Sequence, residues 1–379
     1  MSVEIVKVSD KKGMKLFVEF PFRLYKTHPN WVPPLMGDEY DTFNPKKNGA
    51  YLHSSSECYL AYKEGELVGR VAAIVNRKAN ELWNDRNVRF GWFDFIEDLE
   101  VVKALLGAVA RYGQEHQCDT MIGPWGFSDM DKEGLLVEGY ENLSPFTCLY
   151  NYPYYDTLLQ QAGLEKDVDW VQRKLDLSSK ELPAIYQYTD VLSQKFGIRM
   201  VQGKNMKEIG ARYGKKLFKI YNDIFAPLFQ FTPLNDTQVD QYLKTYIPIM
   251  DPKYVGICVN AEDNPIGFAF CVPMLSKAIK KCGGKLFPFG FISVLRALKK
   301  NDTLEALMIG VLPEYQGTGA IMMILKYIHE NCIANGITSL ILNPQLEENF
   351  KAVSLFDHYD QEFYMRRRGY KGASSQFLG

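Results

Sequence analysis

No stretch of this chain approaches the roughly 20 consecutive apolar residues that a bilayer-spanning helix needs. An excess of positive charge is missing too: 44 Lys and Arg stand against 45 Asp and Glu, a formal net charge of -1. General nucleic-acid binders draw their affinity from a basic surface set against phosphates, so nucleic acid is not an expected partner. A local basic patch for one small anion remains compatible with that balance. Paired cysteines are also absent. The seven thiols (Cys58, Cys118, Cys148, Cys258, Cys271, Cys282, Cys332) are odd in number, scattered, and never in a CxxC spacing. Neither a disulfide framework nor a zinc ribbon is expected, and no metal site is assigned. The opening MSVEIVKVSDKKGMK alternates and then turns polar, without the apolar stretch of a signal peptide, so the cytoplasm is the expected compartment.

What the chain does hold is apolar and aromatic content in plenty, 46% and 13% of 379 residues. Disordered chains are poorer than this, and the length suits two domains of middling size. Two halves echo each other. The first runs from an alternating strand (2–8) through an amphipathic helix (15–25), a hairpin (58–76), a helix beginning at Val101 and a strand TMIGP into the loop GPWGFSDMDKEG. The second repeats the order: strand 198–203, helix 206–225, hairpin 254–272. ELVGRVAAI and NPIGFAFCV place a glycine, Gly69 and Gly267, at the same point of the second hairpin arm. The order reads as a tandem duplication of one mixed α/β unit, the alternative being two unrelated α/β domains. The expected organisation is an amino-terminal domain over 1–178, a linker and helix over 179–197, and a carboxyl-terminal domain over 198–379.

The chemistry-bearing segment is 305–370. EALMIGVLP reads as a strand stopped by Pro313, EYQGTGA as a tight loop, and IMMILKYIHENCIANG as a helix closed by Gly336. TSLILNP is a second strand, and NFKAVSLFDHY a second helix. Strand, glycine loop and helix make an anion site, because the first helical N–H groups lack intrahelical partners and carry the positive end of the macrodipole. Gly317 and Gly319 let the backbone approach closely, so a phosphate or diphosphate fits at Gln316–Ala320. A Walker loop would need GK[ST], and a dinucleotide fingerprint would need glycine at position 322; Ala320–Ile321 and Met322 stand there instead. A plain glycine turn with no ligand is the other reading.

VLPEYQGTGA resembles motif A of the GNAT acyltransferases, V-x-P-x-[YF]-[RQ]-G-x-G-x-[GA], through Val311, Pro313, Tyr315, Gln316, Gly317 and Gly319. The last small position is Ile321 here. The later pattern N-x-x-A-x-x-[LA]-Y falls on Asn349, Ala352 and Leu355, with Phe356 in place of the tyrosine, and a closing Gly-Tyr pair falls on Gly369–Tyr370. The resemblance implies a tandem α/β (α+β) fold of two GNAT-like domains, each a mixed, mostly antiparallel sheet flanked by helices. Only the second would carry the acyl-CoA loop; the region MIGPWGFSDMDKEGLLVEGY is the expected counterpart in the first, with Asp129, Asp131 and Glu133 where a phosphate would be repelled. The non-binding halves of N-myristoyltransferases and Fem-type aminoacyltransferases are similar. The string GPWGFS…GLLVEGY also resembles a bacterial branch that includes proposed ceramide synthases.

What the resemblance implies is N-acyl transfer from acetyl-CoA or a longer acyl-CoA to a small-molecule or lipid-like amine, by direct attack in a ternary complex and without a metal. The diphosphate would lie at Gln316, Gly317, Thr318, Gly319 and Ala320. Backbone N–H near Ile309–Leu312, Ile309 and Val311 among them, would polarise the thioester carbonyl, with Gly310 marking a bulge. Asn343 would reach the pantetheine amide or serve as a turn residue. Tyr359, one turn beyond Phe356, or His358 would protonate the thiolate, and Glu305 would act as base or be a solvated strand end. Arg366 and Arg368 share a strand face opposite Arg367, and would meet a CoA phosphate, a charged acceptor or solvent. Segment 277–302 sets an apolar aromatic run between lysines and arginines. It reads either as a lid or interfacial element making peripheral membrane contact through 286–295, or as a helical hairpin packed into the core. Two rival functions stand beside the transferase: a degenerate GNAT serving as a CoA- or acyl-binding regulatory module, and a Fem-type aminoacyltransferase. The sequence assigns no oligomeric state.

Overall fold

The structure, a computed structural model, describes residues 2–179, 181–203 and 205–378. Of the expected linker, Lys180 lies outside the described residues, as do Met1, Lys204 and Gly379 of the flanking domains. The chain forms two compact units. The first comprises Met1–Val171, Ser276–Ser293 and Met365–Gly379, and the second Gln172–Leu275 and Val294–Tyr364.

Strands of the first unit are β1 (Glu4–Lys7), β2 (Ser54–Lys63), β3 (Glu66–Asn76), β4 (Asn87–Phe95), β5 (Thr120–Gly123) and β6 (Leu135–Glu138), followed by β7 (Glu165–Asp176), which runs on into the second unit. The second unit holds β8 (Arg199–Met200), β9 (Val255–Val259), β10 (Pro265–Pro273), β11 (Thr303–Val311), β12 (Ser339–Ile341) and β13 (Gln345–Leu346). The last strand, β14 (Gln361–Ala373), returns to the first. In the first unit β1 to β4 pair antiparallel in succession, β4 and β5 are parallel, and β5 pairs antiparallel with β14. In the second, β8 to β11 are antiparallel, β11 and β12 parallel, and β12 antiparallel with β7. The same ladder is built twice, each copy completed by a strand from the end of the other half of the chain. This is the expected mixed, mostly antiparallel fold.

Local chemistry explains the elements. The β2–β3 hairpin closes at Lys63↔Glu66 over a two-residue turn, Glu64 and Gly65, at φ 55 and 80; two left-handed residues match the strands' twist. The first helix begins at Lys11, four residues before the predicted start, because the Asp10 side chain accepts from Gly13 N at 2.7 Å. Each parallel pair is joined by a helix, Leu99–Glu115 or Ala320–Asn335, as a parallel connection requires. Gly69 and Gly267 are equivalent. Gly69 pairs with Phe95 and Gly267 with Val311, the last residues of β4 and β11. A Cβ on Gly69 would lie 2.8 Å from Leu105 Cδ1, so that glycine admits the crossover helix of its unit; one on Gly267 would lie 2.7 Å from Val311 Cγ2, its neighbour on β11, and only in ordinary contact with Ile324. Those helices bury Val101, Leu105 and Val109 in the first unit, and Ile324 and Ile328 in the second, each such side chain contributing about 1.5–3 kcal/mol.

Some expectations shrink. Only Arg199–Met200 of the predicted strand 198–203 pairs, and NFKAVSLFDHY is helical only over Phe350–Ser354, with Asn349 as its N-cap accepting from Ala352 N. Segment 277–302 forms two helices, Ser276–Lys281, which buries Ala278 and Ile279, and Gly290–Lys299, which buries nothing and so is no core hairpin.

Candidate functional site

β11 delivers the chain to the glycine loop. Its ladder to β12 covers only Thr303↔Ser339 to Glu305↔Ile341, so along that edge Ala306–Val311 has no strand partner among the described residues. A row of backbone N–H and C=O groups without a strand partner suits an extended, amide-bearing ligand. On the other edge β10 stays in register from Gly267↔Val311 to Phe270↔Met308 and then slips, leaving Leu307 as the extra residue. The bulge therefore sits at Leu307 and not at Gly310. Gly310 has a different reason: a Cβ there would lie 2.7 Å from Ile224, at the end of the helix Met206–Phe225.

Beyond Pro313 the loop turns through Gly317 at φ 80 and Gly319 at φ 86, conformations that glycine adopts without strain. The helix Ala320–Asn335 then starts with no side-chain cap on its first turn. Gln316 and Gly317 are exposed, and beside Gly317 nothing lies within 4 Å of where a Cβ would be. Thr318, Gly319 and Ala320 are buried. The Thr318 hydroxyl is spent on Tyr315 O at 2.7 Å. Leu192, from the helix Thr189–Phe196, packs against Gly319, where a Cβ would meet its Cδ1 at 2.5 Å. The open edge of the loop is thus Gln316–Gly317.

Tyr359 is half-buried, and its hydroxyl hydrogen-bonds Tyr186 Oη (2.5 Å) and His329 Nδ1 (3.3 Å). Burial pushes the Tyr359 phenol up to about 12 against the lowering effect of the Tyr186 bond, while Tyr186 is raised further by burial and by Tyr359 itself. His329, 4% exposed, is lowered by burial and stays neutral, its Nε2 without a hydrogen-bond partner among the described residues. Tyr186 and His329 went unnoticed in the sequence, where nothing ties residues 173 and 30 positions away to Tyr359. Phe356, where the motif has tyrosine, is core. His358 and Asn343 are exposed, and Glu305 is buried at 2% exposure, not a solvated strand end. Leu304, Ala306, Ile309 and Val311 pack on the Ala320–Asn335 side. Strand alternation, reset by the Leu307 bulge, turns Glu305 to the same face as Met308 and Gly310.

That face holds a narrow apolar slot of about 40 Å³. Gly210, Gly214 and Phe218 line it from one helix, Leu243 from the helix Asp236–Tyr246, and Phe270 and Met308 from β10 and β11; no polar atom reaches its wall. The two glycines let the helices close in, since a Cβ on Gly214 would lie 2.8 Å from Leu243 and one on Gly210 2.4 Å from Ile247.

In the first unit the topological counterpart of the glycine loop is Ile96–Leu99, between β4 and its crossover helix, and not the region after β5 that the sequence suggested. The strand and helix order decides it. Asp98 fills that helix end with its own carboxylate, accepting from Glu100 N at 2.9 Å and pairing with Lys63 at 2.6 Å, so no anion site forms. Burial would raise the Asp98 carboxyl, but the Lys63 and Glu100 bonds outweigh it and hold it low. The GPWGFS loop is closed likewise: Phe127 N and Ser128 N donate to Asp131 Oδ2 at 2.8 and 3.1 Å, and Gly126 makes room for that carboxyl. Lost solvation pushes Asp131 up to about 6, and raises Glu133, where Asp129 adds to the effect. Arg89, 1% exposed, donates to Gly126 O at 3.1 Å beneath them. The three arginines are also committed inside this unit. Arg368 and Arg366 share Asp169, Arg366 also pairs with Glu138, and fully buried Arg367 donates to Leu149 O. No group of His, Cys, Asp and Glu among the described residues is placed to hold a metal.

Comparison with known proteins agrees with this architecture. No protein-family model matches the chain. It is 27% identical over 375 residues to Protein YghO of Escherichia coli (strain K12), covering 96% of this chain and 93% of that one. It is 24% identical over 383 residues to the Bacterial ceramide synthase of Caulobacter vibrioides (strain NA1000 / CB15N), covering 98% and 97%. Among solved structures, a tandem GNAT protein from the clavulanic acid biosynthesis pathway superposes with a TM-score of 0.55 at 12% identity, over 98% of this chain and 99% of that one. The chain has the tandem GNAT fold.

Proposed function

We propose that this protein is an acyl-CoA-dependent N-acyltransferase acting on a lipid-like amine. The observation that carries the reading is the β11–glycine loop–helix turn: exposed Gln316–Gly317 leading into an uncapped helix N-terminus, on a tandem GNAT fold. Backbone amides at such a turn favour a diphosphate, which is CoA's anionic handle. The free edge of Ala306–Val311 would take the pantetheine amides and the thioester carbonyl, and exposed Asn343, just past β12, one further amide. Similarity over nearly the full chain to a ceramide synthase favours an amine carrying long apolar chains.

In the reaction the amine nitrogen attacks the thioester carbon; a C–N bond forms and the C–S bond breaks. The ammonium gives up its proton beforehand, to Glu305 or water, and the departing thiolate gains one. Tyr359 supplies that proton: its raised pKa keeps it protonated at neutral pH, and Tyr186 and His329 fix its hydroxyl. Exposed His358 lacks such fixed partners among the described residues and is the weaker candidate.

Titration calorimetry with CoA, acetyl-CoA and long-chain acyl-CoA tests this, together with Gln316→Glu. That exposed, near-isosteric exchange sets a carboxylate at the loop's open edge and weakens CoA by about one to two orders of magnitude. Unchanged affinity, or no binding by the unaltered protein, refutes the placement. Gly319→Glu is the poorer probe because any side chain there strikes Leu192 and strains a left-handed backbone. Tight CoA binding without thiol release across long-chain amines would instead favour a regulatory module.

A further inference from the structure

Phe287 and Phe289 are 82% and 74% exposed, although aromatic side chains of this size normally seek cover. They lead into the helix Gly290–Lys299, whose Phe291, Ile292 and Leu295 are exposed as well and which buries no residue at all. Positions 291, 292 and 295 fall on one face of a helix. Between Ser276 and Asn301 the chain carries seven cationic residues (Lys277, Lys280, Lys281, Lys285, Arg296, Lys299, Lys300) and no acidic one, in a protein whose formal net charge is -1. Six of them are exposed; none of those six forms an ion pair with a described residue, while Lys280 is used inside the first unit, donating to His28 O (3.1 Å) and Pro29 O.

The base of this segment is held firmly. Met36 N donates to Gly284 O at 3.0 Å, and Gly284, at φ 71, lies so close to Pro34 O and the Phe22 ring that only glycine fits. Phe291 N returns to Leu286 O at 2.8 Å and Ile292 N to Phe289 O at 3.2 Å, closing the turn that carries the two phenylalanines. A fixed base beneath projecting aromatic rings, flanked in the chain by cations without ion pairs among the described residues, is the composition of an interfacial anchor. We infer that segment 286–295 docks this protein on an anionic lipid bilayer, Phe287 and Phe289 entering the acyl boundary while Lys281, Lys285, Arg296, Lys299 and Lys300 meet lipid phosphates and carboxylates. The inference stands on this surface alone and does not depend on the loop at Gln316.

Sedimentation of the full chain with lipid vesicles tests it. Vesicles of phosphatidylcholine with about one-third phosphatidylserine pellet the protein, and phosphatidylcholine alone does so far more weakly, each cationic side chain near the surface being worth roughly fivefold. Phe287→Ser/Phe289→Ser abolishes pelleting at a melting midpoint changed little, since both rings are largely exposed and Phe287 meets only the likewise exposed Phe291 ring. Lys281→Gln/Lys285→Gln/Lys299→Gln/Lys300→Gln abolishes the preference for phosphatidylserine and provides a second reading should the first variant unfold. Failure to pellet with the anionic vesicles, or pelleting indifferent to both variants, overturns the inference. So does light scattering that shows a dimer dissociated by the phenylalanine exchange without vesicle binding, because the patch is then a contact between copies.

Discussion

Tyr359 concentrates the residue-scale argument. Tyr359→Phe keeps the ring and removes only the hydroxyl shared with Tyr186 and His329. In the proposed role, kcat falls by a factor of about 100 to 10,000 while KM and CoA affinity stay near their original values; steady-state kinetics with a long-chain acyl-CoA read both. Stability falls too, by about 1–3 kcal/mol, because the buried His329 Nδ1 loses its partner. Two other residues in the first unit titrate in opposite senses. Asp131 is raised from 3.8 to about 6, so it stabilises the fold when protonated and that contribution is lost as pH rises through 6. His53 is lowered from 6.5 to about 4, chiefly by burial and then by Lys78, Arg77 and Arg89. The unfolded chain therefore binds its proton first, and stability drains away as pH falls from 6.5 towards 4. Relative to the unaltered protein, Asp131→Asn loses stability and His53→Gln gains it on acidification through that window. Melting midpoints at a series of pH values decide; parallel curves would show that these environments do not shift the two groups.

At the scale of elements, the two crossover helices solve one problem in two ways. Asp98 caps the first, whereas the second begins bare behind Gly317 and Gly319. Asp98→Ala costs about 0.5–2 kcal/mol and Asp98→Asn much less, since an amide oxygen can still accept from Glu100 N; denaturant midpoints separate the two. Gly69→Val drives a side chain into Leu105 of the helix crossing behind its hairpin, and Gly267→Val drives one into Val311 on the adjacent strand. Each costs on the order of 1–3 kcal/mol as an overpacked contact. A neutral outcome at either position would mean that the crowded neighbour can retreat, and that the equivalence of the two glycines has no energetic content.

Over the whole molecule, each unit's ladder is finished by a distant piece of chain. β5 pairs with β14 and β12 with β7, and the first unit also takes Ser276–Ser293. Residues 1–178 expressed alone therefore leave β5 with an open edge and lose Tyr370, a buried part of that core. They stay unfolded or aggregate, and co-expression with 179–379 rescues them; circular dichroism and hydrogen exchange report the difference. A stably folded 1–178 would show that the exchange of strands is dispensable. Acyl-CoA at about 100 times its Kd should stabilise the intact protein by about 2.7 kcal/mol through mass action.

Local patterns were legible without coordinates. The hairpins, the helix 206–225, the strand–glycine loop–helix at 303–335 and the Gly336 cap all follow from short-range rules of period, turn chemistry and capping, which act within a few residues. The repeat was legible too, through Gly69 and Gly267, because close packing against the second hairpin arm leaves a residue-level mark. What tertiary structure alone decided depends on partners far along the chain. These are Tyr186 and His329 around Tyr359, Leu192 against Gly319, Asp169 for Arg366 and Arg368, the bulge at Leu307 instead of Gly310, and Ile96–Leu99 as the first half's counterpart of the loop. A side chain's identity says what it can bond to; which of many chemically suitable partners it meets is settled only when the packing of whole helices and strands has excluded the others.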